Sequence, residues 1–341
     1  MQRCLQLAAM GAGEVAPNPM VGAVLVYEDR IIGEGYHQKY GEAHAEVNCI
    51  NSVQDADKDL ISQSSMYVSL EPCAHFGKTP PCADLIIKNK IRHVVVGCRD
   101  SFEKVDGRGI ERLQAAGVGV TVGMLEKECL ALNKRFFTFH EKQRPYIILK
   151  WAQSSDGRMG SAGAERILIS NEYTNRLVHQ WRSEEAAILV GTNTALLDNP
   201  ALTTRYWPGN NPVRLVIDVD LKLQASLQLF DGKVKTIVFN ANKQEDAQML
   251  SYCKIDKGED TIPQILEALY KLQLQSVMVE GGARLLQTFI DKNCWDEARV
   301  ITNTAMNIAE GVNAPILQHQ KLIKEEHIQT DKLVYFKNDS Q

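Results

Sequence analysis

EAHAEV at residues 42–47 and EPCAHFGKTPPCADL at residues 71–85 place one histidine, two cysteines and a glutamate in two short segments, and their reading decides the fold of the first half of the chain. His44, Cys73 and Cys82 are the nitrogen and sulfur donors that zinc prefers, and three ligands leave a fourth position open for a reacting group. Glu46, two residues beyond His44, cannot share its ligand direction but can reach that position and move a proton there. Each ligand sits at an expected helix start, where the helix dipole favours thiolates. A closed structural zinc site needs a fourth ligand. His75 is a poor geometric candidate because it follows Cys73 by only two residues, and Glu46 would then have no task.

Outward from these segments the pattern alternates. MVGAVLVYEDRIIGEGY (20–36) is two β-like runs about a charged turn at Glu28 and Asp29, an antiparallel hairpin. Residues 43–53 have helical spacing with Cys49 in the core, 64–70 form a buried strand, 83–90 a helix and 92–97 a second strand. Residues 109–117 predict a helix stopped by Gly117, 118–123 a strand, and 125–142 one amphipathic helix. The result is α and β alternating around one sheet. Pro145 interrupts the pattern, and a second α/β series begins at YIILKWA (146–152), so the domains are expected at 1–142 and 143–341. In the second, strands are expected at 186–191, 213–219, 235–241, 276–280 and 297–303, with helices at 172–182 and 283–292. KNDSQ (337–341) reads as a frayed tail.

The 341 residues are 44% hydrophobic and 23% charged, enough for more than one core, and the net charge is only −4. There is no basic field of the kind nucleic-acid binding needs, so small substrates are favoured. The first residues lack the apolar core of a secretion signal, and no stretch reaches the ~20 apolar residues that span a bilayer. A cytoplasmic location is the expectation, with the eight cysteines reduced; Cys98, Cys129, Cys253 and Cys294 receive no role.

The spacing H-x-E followed by P-C matches the zinc deaminase signature, except that eight residues separate Cys73 from Cys82 instead of two. The longer form, with APNPMVGAVLV (16–26) and GEGYHQKYGEAHAEV (33–47), resembles the deaminase half of the bifunctional riboflavin-biosynthesis deaminase/reductases. ILKWAQSSDGRMG (148–160) and GTNTALLDNPALTTR (191–205) resemble the reductase half of the same family. The resemblance implies a cytidine-deaminase-like α/β/α domain followed by a dihydrofolate-reductase-like α/β domain. It implies one zinc per chain, NADPH, and a small phosphorylated pyrimidine as substrate, with no nucleic acid or membrane partner and a homo-oligomer compatible with the chain. Asn18 matches the family's pyrimidine-binding loop, although an ordinary Asx turn reads equally well there. Lys78 and Thr79 stand where a substrate phosphate would be met, or are solvated.

For the reductase half the resemblance places Ala152, Leu168, Thr194, Asp198 and Gly282 near the cofactor. Arg166, Arg182, Leu202, Arg205 and Glu280 fall near the substrate, and Lys150, at the end of an apolar strand where a buried lysine needs a partner or a purpose, is the candidate catalytic group. Arginine suits a sugar phosphate because its fork binds two oxygens at once. Gly281 and Gly282 lie between a strand and a helix, where backbone N–H groups meet phosphates, but no GxGxxG fingerprint follows the first strand. Where relatives carry Trp-Ile-Ser or Trp-Ile-Thr, this chain has Leu168, Ile169 and Ser170, so a stacking contact to the cofactor is missing. Two rivals remain at this stage: a nucleoside or tRNA-base deaminase fused to a non-reductase binding domain, and a metal-stabilised scaffold without activity.

Overall fold

The computed structural model describes residues 1–76, 80–101, 107–161, 163 and 167–340. It divides into two compact units, Met1–Gln143 and Arg144–Gln341. The first contains α1 (Gln2–Ala9), β1 (Gly22–Tyr27), β2 (Arg30–Tyr36), α2 (Ala45–Asn51), β3 (Ser65–Leu70), α3 (Cys82–Lys88), β4 (His93–Cys98), α4 (Arg108–Ala115), β5 (Gly119–Val122), α5 (Glu126–Leu132) and α6 (Lys134–Lys142). Its sheet runs β2-β1-β3-β4-β5, antiparallel through β1 and parallel from β3 to β5.

The expected hairpin is present. Tyr27 pairs with Arg30 and Glu28 adopts φ 52°, the positive value that a tight two-residue turn demands. Along β1 and β2 the apolar residues Ala23, Leu25 and Ile32 face a core shared with Ala45 and Cys49 of α2. A Cβ on Gly35 would lie 2.2 Å from the Cys49 amide nitrogen, so only glycine lets α2 press against the strand. That contact sets the height of His44 and Glu46 above the sheet.

One expected element divides. Residues 125–142 form α5 and α6, broken at Asn133, whose backbone (φ −102°, ψ 24°) leaves the helical range. The buried Asn133 side chain accepts from the Met20 amide at 2.8 Å and donates to the Met20 carbonyl at 2.9 Å, bonds that a continuous helix would forgo.

The second unit contains β6 (Tyr146–Ser154), β7 (Arg158–Ser161), α7 (Glu172–Glu184), β8 (Ala187–Gly191), α8 (Thr192–Asp198), β9 (Val213–Ile217), β10 (Thr236–Asn240), β11 (Leu250–Lys254), α9 (Thr261–Lys271), β12 (Ser276–Val279), α10 (Ala283–Asp291), β13 (Glu297–Asn303), β14 (Gly311–Asn313), β15 (Gln320–Ile328) and β16 (Asp331–Asn338). Nine strands form one sheet in the order β11-β10-β9-β8-β12-β6-β13-β16-β15, and β7 pairs with β14. The strands from β11 to β13 are parallel, and β16 and β15 add antiparallel. The period-two pattern of β6 divides its side chains: Ile147, Leu149 and Trp151 face one core, Tyr146, Ile148 and Ala152 the other, beside Val178 and Trp181 of α7. Lys150, in register with the second set, is therefore on the α7 side of the sheet. The strand continues past it to Ser154, so Lys150 is mid-strand rather than at its end.

The expected frayed tail is instead tied down. Lys337 and Asn338 complete β16, and the buried Asn338 amide donates to Asn293 and to the Trp295 carbonyl at 2.7 and 2.9 Å. β15 was outside the expectation because its residues are exposed from Gln320 to His327 and lack an apolar face. β7 and β14 are too short to carry a period.

Arg214 on β9 is fully buried. It donates to Asp231, Thr236 and the carbonyls of Gln228, Val234 and Ala201, so it ties β9 to the segment that leads into β10 and, through Ala201, to the loop that follows α8. Arg214→Leu orphans these acceptors, and the second unit loses about 3–5 kcal/mol. All four tryptophans (Trp151, Trp181, Trp207, Trp295) belong to this unit, so a urea titration followed by tryptophan fluorescence reads it selectively. A midpoint equal to that of the unaltered protein would contradict the role given to Arg214.

Candidate active sites

His44 caps the start of α2 and Cys82 opens α3, as expected, but Cys73 begins no helix. It lies in the irregular stretch after β3 and is docked onto the first turn of α3, where its Sγ accepts from the Cys82 amide at 3.3 Å and its carbonyl accepts from Ala83 at 3.1 Å. The His44 Nδ1 is 3.6 Å from the Cys73 Sγ and 3.4 Å from the Cys82 Sγ. Zn–N and Zn–S bonds at a tetrahedral angle put nitrogen and sulfur about 3.5 Å apart, so the spacing suits one zinc ion. Among the described residues, these three form the one group whose donor atoms converge within 4.8 Å, and His75 is outside it.

Charge in the group is unequal. The hydrogen bond from the Cys82 thiol, aided by His44 and the Cys82 amide, pulls the Cys73 thiol down to about 4; the same pairing, with burial, pushes Cys82 well up. Glu46 is 3% exposed and within hydrogen-bonding reach of Cys82. Burial first, then the neighbouring Cys73 charge, pushes its carboxyl up to about 6.

Asn18 is joined to a residue that the motifs did not single out. Its Nδ2 is 3.1 Å from the Nε2 of His37, whose Nδ1 is 3.0 Å from the Ala43 carbonyl. A carbonyl can only accept, so Nδ1 carries the proton, Nε2 accepts from Asn18, and the Asn18 Oδ1 is turned away as an acceptor. His37 is 2% exposed; burial lowers its pKa and keeps it neutral, with its ring edge-on to His44 at 5.3 Å. His37 was within the quoted GEGYHQKYGEAHAEV, but a lone histidine on a strand end carries no sequence signal of its own. Lys78 and Thr79 lie outside the described residues, as does Arg166.

In the second unit Lys150, Arg182 and Glu280 meet. Glu280 follows β12, which pairs with β6 so that Val279 faces Leu149. Its carboxylate accepts from the Nε and one terminal nitrogen of Arg182, each at 2.7 Å, and is 3.7 Å from the Lys150 Nζ. All three side chains are nearly buried. Burial alone would raise the Glu280 carboxyl, but Arg182 and then Lys150 outweigh it and hold the group at about 2. Burial lowers Lys150, against the pull of Glu280.

The remaining candidates fall into smaller groups. Arg182 also donates to the Thr203 carbonyl, and Arg205, exposed, to the Thr203 hydroxyl, so Thr203 links the two arginines. Leu202 has φ 49° and its side chain is buried with Ile188, Val190 and Ala195. His179, one turn before Arg182 and equally unforeseen, is 1% exposed and packs edge-on to Tyr206; burial, then Arg182 and Arg205, hold it down to about 4. Thr194 and Asp198 share a face of α8, and a Cβ on Gly282 would stand 3.1 Å from the Thr194 Oγ1. Gly282 caps α10 without a side-chain bond, and Gly281 has φ 121°. Ala152 is two residues beyond Lys150 on the same face of β6, and Leu168 stands 72% exposed.

Comparison with known proteins accounts for both halves. Residues 1–98 match the cytidine and deoxycytidylate deaminase zinc-binding region, and residues 145–329 match the RibD C-terminal domain. The riboflavin biosynthesis protein RibD of Aquifex aeolicus is 36% identical over 99% of this chain and 97% of its own length. The protein of the same name from Escherichia coli is 35% identical over 87% and 84%. The crystal structure of a diaminohydroxyphosphoribosylaminopyrimidine deaminase/5-amino-6-(5-phosphoribosylamino)uracil reductase from Thermotoga maritima superposes with a TM-score of 0.91 at 34% identity, covering 99% of this chain and 97% of that one. The chain belongs to the RibD family of bifunctional riboflavin-biosynthesis enzymes, with a zinc-binding deaminase half followed by a reductase half.

Proposed function

We propose that the first domain, residues 1–142, deaminates a diaminopyrimidinone bearing a ribosyl phosphate, and that the second, residues 143–341, reduces the ribosyl group of the product with NADPH. The observation that carries the reading is the convergence of His44, Cys73 and Cys82 at zinc spacing beside the buried carboxyl of Glu46.

Zinc on these three ligands, one per chain, supplies a nucleophile from water at neutral pH. Glu46 takes the proton of that water and passes it to the departing amino group, which leaves as ammonia while the ring carbon gains oxygen. Asn18, with its Oδ1 presented by His37, accepts an N–H from the edge of the pyrimidine. Lys78 and Thr79 are proposed for the phosphate.

In the reductase domain NADPH supplies the hydride. The Gly281–Gly282 turn, with Thr194, leaves room for its phosphates at the start of α10, and Ala152, Leu168 and Asp198 are assigned to the same cofactor. Lys150 gives the proton that accompanies hydride transfer to the opened, imine-like sugar carbon, and Glu280 keeps Lys150 charged and in place. Arg182 spends three donors on Glu280 and Thr203, so its part is chiefly to hold Glu280. Arg205 has donors to spare for the phosphate of the substrate. Leu202 and Arg166 are assigned to the same substrate site.

Three outcomes follow. Glu46→Gln abolishes ammonia release while zinc content by elemental analysis stays at the unaltered level; loss of the metal would make Glu46 a ligand instead. Chelating the zinc likewise halts ammonia release and leaves NADPH oxidation intact. Arg205→Met raises the KM for the deaminated phosphorylated substrate about tenfold or more with kcat little changed, and a loss confined to kcat would refute a phosphate role.

A fourth outcome concerns acid. Glu280 has a folded pKa of about 2 against an ordinary 4.5, so its contribution is present in full above 4.5 and is lost as the pH falls towards 2. Across that window the unaltered second domain should lose on the order of 3 kcal/mol through this group. Tryptophan-detected urea midpoints should therefore fall less steeply with acid in Glu280→Gln; parallel slopes would remove Glu280 as the cause.

A further inference from the structure

We propose that Glu71 is a positioning residue for the zinc site. Clamped onto the start of α4, its buried carboxylate fixes Cys73 at ligand distance without touching metal or substrate. The inference rests on the zinc reading given above.

Glu71 is 4% exposed. Its Oε2 accepts from the amides of Asp100 and Gly107 at 3.3 and 3.1 Å, and its Oε1 from those of Gly109 and Ile110 at 2.9 and 3.2 Å. The last three amides belong to the opening turn of α4. The N-cap there is Gly107, with φ 82° and no side chain to offer, so Glu71 caps the helix from 36 residues upstream.

Helix α4 grips the same stretch at two more points and α3 at a third. A Cβ on Gly109 would stand 1.8 Å from the Pro72 carbonyl oxygen, so the helix backbone lies directly on the residue before Cys73. Arg112 donates to the Ala74 carbonyl at 3.3 Å, just past Cys73, and forms a two-bonded pair with Asp84 of α3, two residues past Cys82. Residues 71, 72 and 74 are thus held by one helix that also holds α3.

Cys73 is the ligand with the least support of its own, since His44 and Cys82 ride on helices. In an irregular segment its Sγ would sample many positions, and gathering it would cost metal affinity. Groups behind a metal ligand typically change affinity by about 10–100-fold when lost. A neutral amide at residue 71 would also turn an NH2 group towards two backbone N–H donors.

The test uses the full-length protein loaded with zinc under reducing conditions, as Glu71→Gln and as Arg112→Ala, whose parent side chain is 45% exposed, so that its loss should leave the fold intact. Zinc transfer to a colorimetric chelator should be about 10–100-fold faster in Glu71→Gln and severalfold faster in Arg112→Ala. Ammonia release should fall at limiting zinc and recover in excess zinc with unchanged KM, while NADPH oxidation by the reductase domain stays at the unaltered rate. The gap between zinc-loaded and zinc-free thermal midpoints should narrow.

Zinc release at the unaltered rate in Glu71→Gln overturns the proposal. So does an equal fall of both midpoints, which a purely structural role predicts. If Glu71→Gln does not fold, Arg112→Ala decides, and unaltered release there overturns the proposal. Failure of the unaltered protein to hold zinc would instead overturn the zinc reading, and this inference with it.

Discussion

A metal site with three protein ligands demands that three side chains, from positions 44, 73 and 82, arrive within one coordination sphere, where nitrogen and sulfur stand about 3.5 Å apart. Everything in the first unit that bears on the chemistry follows from meeting that demand. The glycine at position 35 lets α2 lie on β2, which sets His44 and, two residues along the same turn, Glu46. The parallel pairing of β3 with β4 delivers the stretch holding Cys73 to the same end of the sheet, and α3 starts there with Cys82. Glu46 is consequently enclosed at 3% exposure, and a carboxyl out of water is readier to hold a proton than one in it.

The second unit solves a different problem. Glu280, Arg182 and Lys150 are all drawn out of water, and the desolvation of three charges is costly unless they face one another. One carboxylate against two cations leaves a single positive charge over, nearly buried, beside the loop that carries Arg205. That surplus favours an anionic, phosphorylated ligand, and it also explains why the Glu280 carboxyl stays ionised far below its ordinary range.

Much of this was legible in the residues alone, for identifiable reasons. The hairpin, the alternation of strand and helix, and the zinc ligands are local patterns: period two, period 3.6, and donor types whose chemistry has few other uses. Part of what escaped, unlike the locally patterned α9 and β16 that were also missed, depends on partners far away in the chain. The break at Asn133 is dictated by Met20, more than a hundred residues upstream, and the order of the last residues by Asn293 and Trp295. β15 has no apolar face to betray it. His37 and His179 are singletons whose meaning appears only when Asn18 or Arg182 is brought beside them. Conversely, Lys150 was legible because a lysine in an apolar strand needs a partner, although the partner's identity required the register of β6 with β12.

The two sites also differ in what keeps them assembled, and this bears on how their sequences can vary. Lys150 and Glu280 are neighbours because Leu149 and Val279 are paired across adjacent strands, so an insertion in either strand would shift the side chains to the wrong face. The spacing between Cys73 and Cys82 has no such constraint. Eight residues intervene, yet the Cys82 amide still reaches the Cys73 sulfur because each end of the loop is held from outside it, by α4 at one end and by α3 at the other. A loop closed in this way can lengthen at small entropic cost, since each doubling adds only about 0.6 kcal/mol. The stretched spacing is therefore compatible with the same metal chemistry as the short one.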